Sequence, residues 1–363
     1  MRICMVGNAT AVHLQRWATA YRDAGHAVSV VSIRSATIPG IDVHTVAVGP
    51  INTPNRFWTL LSYVRLAASV RRLVRSCSPD VVNPHFVTTS GTLARIAGVH
   101  PIVLTAWGSD VIPADGELSG FVAGTLNGWA VAGADRVTAA SRYLADWIEQ
   151  ASPGTPVDMV PFGVDTTRFR PRSRTERTGE PFTVGVVKSL EPRYGIDVAT
   201  RAMERVVRAV PDARLVIAGG GTEEANLRAL VANLDLDAHV SFVGRIPHDD
   251  IPALMDALDV LVNPTVVPES FGVVILEASA MELPVVATDV GGVPDVCVRD
   301  KTGILVPPRD PVALANAIVD LASNPELRGS MGAAGRSFVN ERFDWSTSVK
   351  TMLGVLEAAR GTQ

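Results

Sequence analysis

Two patterns of apolar and polar positions recur along the chain. Short β-branched runs alternate with longer stretches in helical spacing. The first half carries RICMVG from Arg2, AVSVVSI from Ala27, VHTVAV from Val43, DVVNPHF from Asp80, PIVLTAW from Pro101, RVTAAS from Arg136 and DMVPFG from Asp158. Amphipathic stretches such as Ala11–Ala24 and Asn55–Arg75 lie between them. The second half repeats the plan with FTVGVV from Phe182, ARLVIAGG from Ala213, VSFVG from Val240, VLVNP from Val260, PVVATD from Pro284 and GILVPP from Gly303. Strands alternating with helices predict an α/β chain whose parallel sheets are wound by right-handed crossovers.

A charged segment with Pro and Gly, Arg168–Pro181, lacks apolar periodicity and reads as a linker. The expected architecture is two Rossmann-like domains, 1–170 and 171–345. A last helix, 346–363, is expected to return to the first. Ligands of such sheets sit beyond the carboxyl ends of the strands, so the cleft between two facing domains is the expected site.

Composition narrows the class. The 363 residues are 47% hydrophobic and 19% charged, as in soluble α/β proteins. The three cysteines, Cys4, Cys77 and Cys297, form no disulfide or zinc spacing and fit a reducing cytoplasm. The N-terminal apolar run is too short for a signal peptide, and no segment approaches a membrane span. A net charge of −4 leaves no nucleic-acid footprint. Residues 1–170 hold 14 basic and 11 acidic side chains, the remainder 19 and 26. The more basic front half suits an anionic surface or acceptor.

Candidate chemistry concentrates in NPTVVPESFGVVILEASAMELPVVATDVGG, Asn263 to Gly292. Glu269 and Glu277 stand in it, and the second lies in an almost wholly apolar run. A buried carboxylate needs a partner, so Glu277 is either a satisfied structural residue or faces a polar ligand. A helix is expected to begin around Ser270–Gly272, and its first amides suit an anion. VVKSLEPRYGID adds Lys188 and Arg193 across a tight turn, two cations able to bind phosphate oxygens.

These motifs together resemble retaining glycosyltransferases of family GT4, with the GT-B fold. PESFGVVILEASAMELPVVATDVGGVPD is similar to the donor-site signature of that family, and VPFGVDTTRFRP to its interdomain segment. VGVVKSLEPRYGID is similar to its basic turn with the two basic residue types exchanged. The resemblance implies transfer of a hexose from a UDP- or GDP-type sugar to a hydroxyl acceptor, which is a glycan, a lipid-linked molecule or a small molecule. It implies a nucleotide-sugar co-substrate with no other cofactor and no metal.

Residue by residue, the resemblance makes Glu269 the holder of donor-sugar hydroxyls and Glu277 the holder of the ribose. Lys188 and Arg193 neutralise the leaving diphosphate, helped by amides among Ser270, Phe271, Gly272, Val273 and Val274. Arg245 and Ile246 line the nucleobase pocket. Gly7 and Asn8 close over the phosphates. His85 matches a histidine near the reacting sugar. TAWGSD holds Trp107 where histidine is usual, and leaves Trp107 and Asp110, with His13, as acceptor-side candidates.

His13 is also the candidate general base of an inverting enzyme, and His26 reads as part of a turn. HDD at 248–250 reads as a helix start, not a metal motif. AGGG at 218–221 lacks dinucleotide spacing. In Asn55–Arg75 the stripe Phe57, Leu60, Leu61, Val64 and Ala68 is expected against the sheet. Arg65, Arg72, Arg75 and Trp58 lie off it, so peripheral contact with the inner membrane face competes with simple packing. A nucleotide-sugar epimerase and a non-catalytic nucleotide-sugar-binding subunit are the alternative readings.

Overall fold

The computed structural model describes residues 1–46, 56–108, 110–112, 127–171 and 180–361, with 56–63 in backbone only. All thirteen expected strands are present: β1 (Arg2–Gly7), β2 (Ala27–Ser32), β3 (Asp42–Thr45), β4 (Val81–Pro84), β5 (Val103–Thr105), β6 (Arg136–Ala139), β7 (Val157–Met159), β8 (Thr183–Val187), β9 (Arg214–Ala218), β10 (Val240–Gly244), β11 (Val260–Asn263), β12 (Val285–Thr288) and β13 (Gly303–Val306). Every strand pairing is parallel, and the central strands are buried on both faces because helices cover both sides.

The chain forms two compact units, Met1–Pro161 with Ser348–Gln363, and Phe162–Thr347. In the first, β3-β2-β1-β4 is one ladder and β5-β6-β7 another. Parallel bridges Val82–Ile102 and His85–Thr105 join them. The register sets Met5 beside Val30 and Asn83. The helix Trp345–Arg360 buries Met352, Val355, Leu356 and Ala359 at helical spacing, and from Ser348 onward it belongs to this unit.

In the second unit the order is β10-β9-β8-β11-β12-β13. Its helix Ile196–Ala209 buries Ile196, Ala199, Ala202, Met203 and Val206 on one face. Chain direction across the sheet reverses between β8 and β11, and in the first unit between β1 and β4. Such reversals open crevices at the carboxyl ends of the strands.

Two expectations shift. The units divide at Pro161, ahead of the boundary expected at 170. The intervening stretch packs within the second unit: Val164 bridges Asp344, Thr166 Oγ1 donates to Asp344 Oδ2 at 2.8 Å, and Phe169 is buried. Residues 172–179 of the expected linker lie outside the described residues.

The helix Arg56–Ser76 is seated differently from the stripe read off the sequence. Leu66, Ala67, Val70 and Val74 are buried, whereas Val64 is 49% exposed and Ala68 faces outward with Arg65, Arg71, Arg72 and Arg75. The segment is apolar around most of its circumference, so two overlapping stripes satisfy the same spacing and packing selects one. The expected contacts of Phe57, Trp58, Leu60 and Leu61 lie outside the described side chains, and Asn55 outside the described residues.

Candidate active site

The donor-type residues gather at the crevice of the second unit. Lys188 follows β8 and Glu269 follows β11, the two strands that flank the reversal. Lys188 Nζ donates to Glu269 Oε1 at 2.5 Å. Asn263 Nδ2 and Thr265 Oγ1 donate to Oε2 at 3.1 and 3.2 Å. Burial pushes the Glu269 carboxyl up, but Lys188, Asn263 and Thr265 outweigh it and hold the group below the usual carboxylate range. Behind it stands Gly291 at φ +56°, where a Cβ would lie 2.3 Å from the Glu269 carbonyl oxygen. The amide of Gly292 donates to that same oxygen at 2.7 Å.

Gly272 caps the following helix, Val273–Ala280, in a left-handed conformation (φ +96°) that suits glycine. No side chain caps this end, and Ser270 and Phe271 precede the helix instead of opening it. Phe271 is buried edge-on between Phe162 and Phe343, each at 5.9 Å, so it anchors the loop. The amides of Val273 and Val274 open the first turn, where partial positive charge favours an anion.

Glu277 is 7% exposed, and its Oε1 bonds to His248 Nε2 at 2.8 Å. His248 also packs on Phe169 (5.5 Å). His248 opens the short 3-10 turn His248–Asp250 that leads into the helix Ile251–Asp256. Its pairing with Glu277 was not anticipated from the sequence.

Arg245 and Ile246 line a crevice of about 320 Å³ with Lys188, Ser189, Gly219 and Gly220. The glycine run set aside in the sequence thus forms part of a wall. A Cβ at 219 would lie 1.8 Å from the Lys188 carbonyl oxygen, so only glycine allows this approach. Arg193 sits in the exposed turn Pro192–Tyr194, with its guanidinium 4.9 Å from the Tyr194 ring centre.

The first unit gathers its own set. Gly7 ends β1 and Asn8 follows it, His85 and Phe86 follow β4, and all four line a cavity of about 350 Å³ with Trp107. Trp107 Nε1 donates to His85 Nδ1 at 3.2 Å. An indole N–H only donates, so Nδ1 is bare and Nε2–H donates to Asn83 Oδ1 at 2.9 Å. Asn83 is held in turn: it accepts from Tyr21 (3.1 Å) and donates to Val103 O (2.7 Å) and Thr105 Oγ1 (3.0 Å). Burial and then the nearby His13 lower the His85 imidazole to about 3, so it is neutral. Both ring nitrogens are engaged, which makes His85 a fixed wall that orients Trp107. His13 stands edge-on to Trp107 at 5.3 Å.

Asp110 departs from its expected acceptor-facing place. It is 2% exposed, and its carboxylate accepts from the amides of Val87 (2.6 Å), Trp107 (3.0 Å) and Gly108 (2.7 Å). It ties the Trp107 loop to the π-helical turn Val87–Gly91. Just before that turn, Phe86 adopts φ +85°, a strained conformation costing about 1–3 kcal/mol for a side-chain-bearing residue.

His26 lies in the turn before β2 and bonds to the N-terminal amine at 3.1 Å. Among the described residues no group of three or more His, Cys, Asp or Glu side chains is placed to hold a metal, and no helix is long and apolar enough to cross a membrane.

Two parallel-sheet units, one with a Lys–Glu pair and a helix N-terminus at its crevice, define an α/β protein with a site suited to a phosphate-bearing ligand. Residues 168–338 match the family "Glycosyl transferases group 1" and residues 2–141 match "Glycosyl transferase 4-like". The GDP-mannose-dependent alpha-(1-6)-phosphatidylinositol monomannoside mannosyltransferase of Mycolicibacterium smegmatis is 34% identical over 284 residues, covering 74% of this chain and 73% of that protein. The D-inositol 3-phosphate glycosyltransferase of Acidothermus cellulolyticus is 33% identical, covering 88% and 77%. Sucrose-phosphate synthase from Thermosynechococcus elongatus superposes with a TM-score of 0.85 at 21% identity, over 100% of both chains.

This chain belongs to the GT4-type glycosyltransferases of GT-B fold. Its activity is glycosyl transfer from a nucleotide sugar, and the epimerase and binding-subunit readings are not favoured.

Proposed function

We propose that the protein is a retaining, metal-independent hexosyltransferase whose second unit holds the donor and whose first unit takes the acceptor. The Lys188–Glu269 pair at the β8/β11 crevice is the observation that carries this reading. Lys188, with the exposed Arg193, neutralises charge as it grows on the leaving diphosphate. The amides of Val273 and Val274 assist. Fixed charges of this kind act where the transition state develops charge. Glu269 accepts hydrogen bonds from donor-sugar hydroxyls, and Glu277, steadied by His248, accepts them from the ribose. Arg245 and Ile246 border the base. The diphosphate takes the acceptor proton as the acceptor oxygen attacks from the face it leaves, so the anomeric configuration is retained. His13 and Trp107 contact the acceptor.

GDP-mannose, the donor named for the mycobacterial relative, is the first to test, with a glycolipid hydroxyl as acceptor. The test is a screen of GDP-, UDP-, ADP- and TDP-sugars that follows nucleotide release and the anomeric configuration of the product. Release from one donor, lost in Glu269→Ala, with retained configuration is expected. An inverted product rejects the retaining mechanism. Epimerisation without release rejects transfer.

The same reading places the enzyme in the cytoplasm, at the inner face of a membrane. The outward face of Arg56–Ser76, with Arg65, Arg71, Arg72 and Arg75 beside the exposed Val64, supports this. Sedimentation with liposomes that is indifferent to anionic lipid removes it.

A further inference from the structure

We infer that the cavity of the first unit is a built site for an uncharged apolar group, and that it seats the apolar part of the acceptor. The inference rests on the reading that this unit takes the acceptor. The cavity opens at the carboxyl ends of β1, β2 and β4, where the strand order reverses. Its wall is mainly apolar, with Leu14, Val31, Val70, Phe86, Leu93 and Trp107 among its residues. The polar side chains on it are largely engaged within the protein. Ser32 Oγ accepts from Ala9 N (2.9 Å) and donates to Arg34 O (2.6 Å). Asn8 Oδ1 accepts from Thr10 Oγ1 (2.8 Å), and both nitrogens of His85 have partners. His85 is also held neutral by burial and by His13. Such a wall has no charge to offer a sugar phosphate and few donors to offer a sugar.

A dry apolar cavity of roughly 150 Å³ binds benzene. At about 350 Å³ this one accommodates a group about twice that size, such as a medium alkyl chain or a fused ring. Two backbone features show that the shape is imposed and not left over from packing. Phe86 is held at φ +85° to turn its ring onto the wall, and the chain continues as a π-helical turn, Val87–Gly91. Both are rare, and both recur at binding sites. Asp110 clamps this turn through the Val87 amide. The hydroxyls of Thr89 and Ser90 on the same turn take no partner among the described residues and are positioned to meet a polar junction where the apolar group ends.

The test is calorimetric titration of the full chain with n-alkyl glucosides, from methyl to dodecyl and below their micelle concentrations, and in a second arm with phenyl and naphthyl glucosides. GDP and UDP are titrated in parallel. Affinity is expected to rise by up to about fourfold per added methylene and to level off once the cavity is full. The aryl arm distinguishes a ring-shaped occupant from a chain. Leu93→Trp fills the cavity and brings the plateau to shorter chains, and Leu93→Ala moves it to longer ones. An unchanged circular dichroism spectrum and unfolding midpoint report that each variant is folded.

Affinity independent of chain length, with nucleotide bound normally, overturns the proposal and leaves the donor reading intact. Affinity that climbs without a plateau and ignores both variants also overturns it, since that is partitioning onto a surface. A plateau that moves with Leu93, in a protein that binds neither nucleotide, supports the cavity and rejects the donor reading.

Discussion

Replacing Lys188 by methionine probes the pair on which the donor reading rests. Nζ and Oε1 are 2.5 Å apart, and the two side chains keep only 12% and 17% of their exposure. At an effective dielectric constant of about 20 the direct attraction is on the order of 7 kcal/mol. Desolvation of both ions cancels most of it, so the pair contributes little net stability. Breaking it is a different matter. Lys188→Met leaves a buried carboxylate supported only by Asn263 and Thr265. The expected cost is about 3–5 kcal/mol in urea unfolding.

The double variant Lys188→Met/Glu269→Gln removes both charges and should recover most of that loss. Activity should not follow, because a lost charge stabiliser costs about 10²–10³ in kcat whatever the stability. The two variants are compared by unfolding midpoint and by donor turnover. A double variant no more stable than Lys188→Met refutes the coupling. Turnover restored in the double refutes the catalytic role. The pH dependence adds a check. Because the folded carboxyl lies below its unfolded value, its stabilisation is present above the unfolded value and is lost as pH falls through the folded one. In Lys188→Met the sign should reverse: burial then outweighs Asn263 and Thr265, the carboxyl lies above its unfolded value, and acidification should recover part of the lost stability.

Three further outcomes are expected. His85 titrates at about 3 in the fold against 6.5 unfolded. Between those values only the unfolded chain takes the proton, so stability should fall on acidification by up to about 1.4 kcal/mol per pH unit. His85→Gln should remove that part of the slope in unfolding measured from pH 7 to 4. His248→Ala should weaken GDP or UDP binding about tenfold, through loss of a hydrogen bond that holds a carboxylate. It should leave 2′,3′-dideoxy nucleotides unaffected, and equal loss for both ligands would show that His248 does not act through the ribose. Gly219→Ala should lower both the unfolding midpoint and nucleotide affinity, because its Cβ would lie 1.8 Å from a carbonyl oxygen with no room to yield. A wild-type midpoint and affinity would contradict that approach.

Much of this protein was legible in the sequence. Strand periodicity is a local property, set by which faces of three to six residues are buried, and each of the thirteen runs became a strand. Glu269 and Glu277 could be singled out as candidates, because they and Gly272, which caps the helix of Glu277, lie in one short segment. Tertiary structure decided what joins residues distant along the chain. It brought Lys188 to Glu269 and His248 to Glu277, 81 and 29 positions away. It turned Asp110 inward to three amides and closed the nitrogens of His85 between Trp107 and Asn83. It also chose the buried side of Arg56–Ser76, where two apolar stripes compete. The physical reason is common to these cases. A periodic pattern records that a side chain is buried, whereas hydrogen bonding and charge depend on which atoms the packed layers bring within about 3 Å, and the strand order decides that.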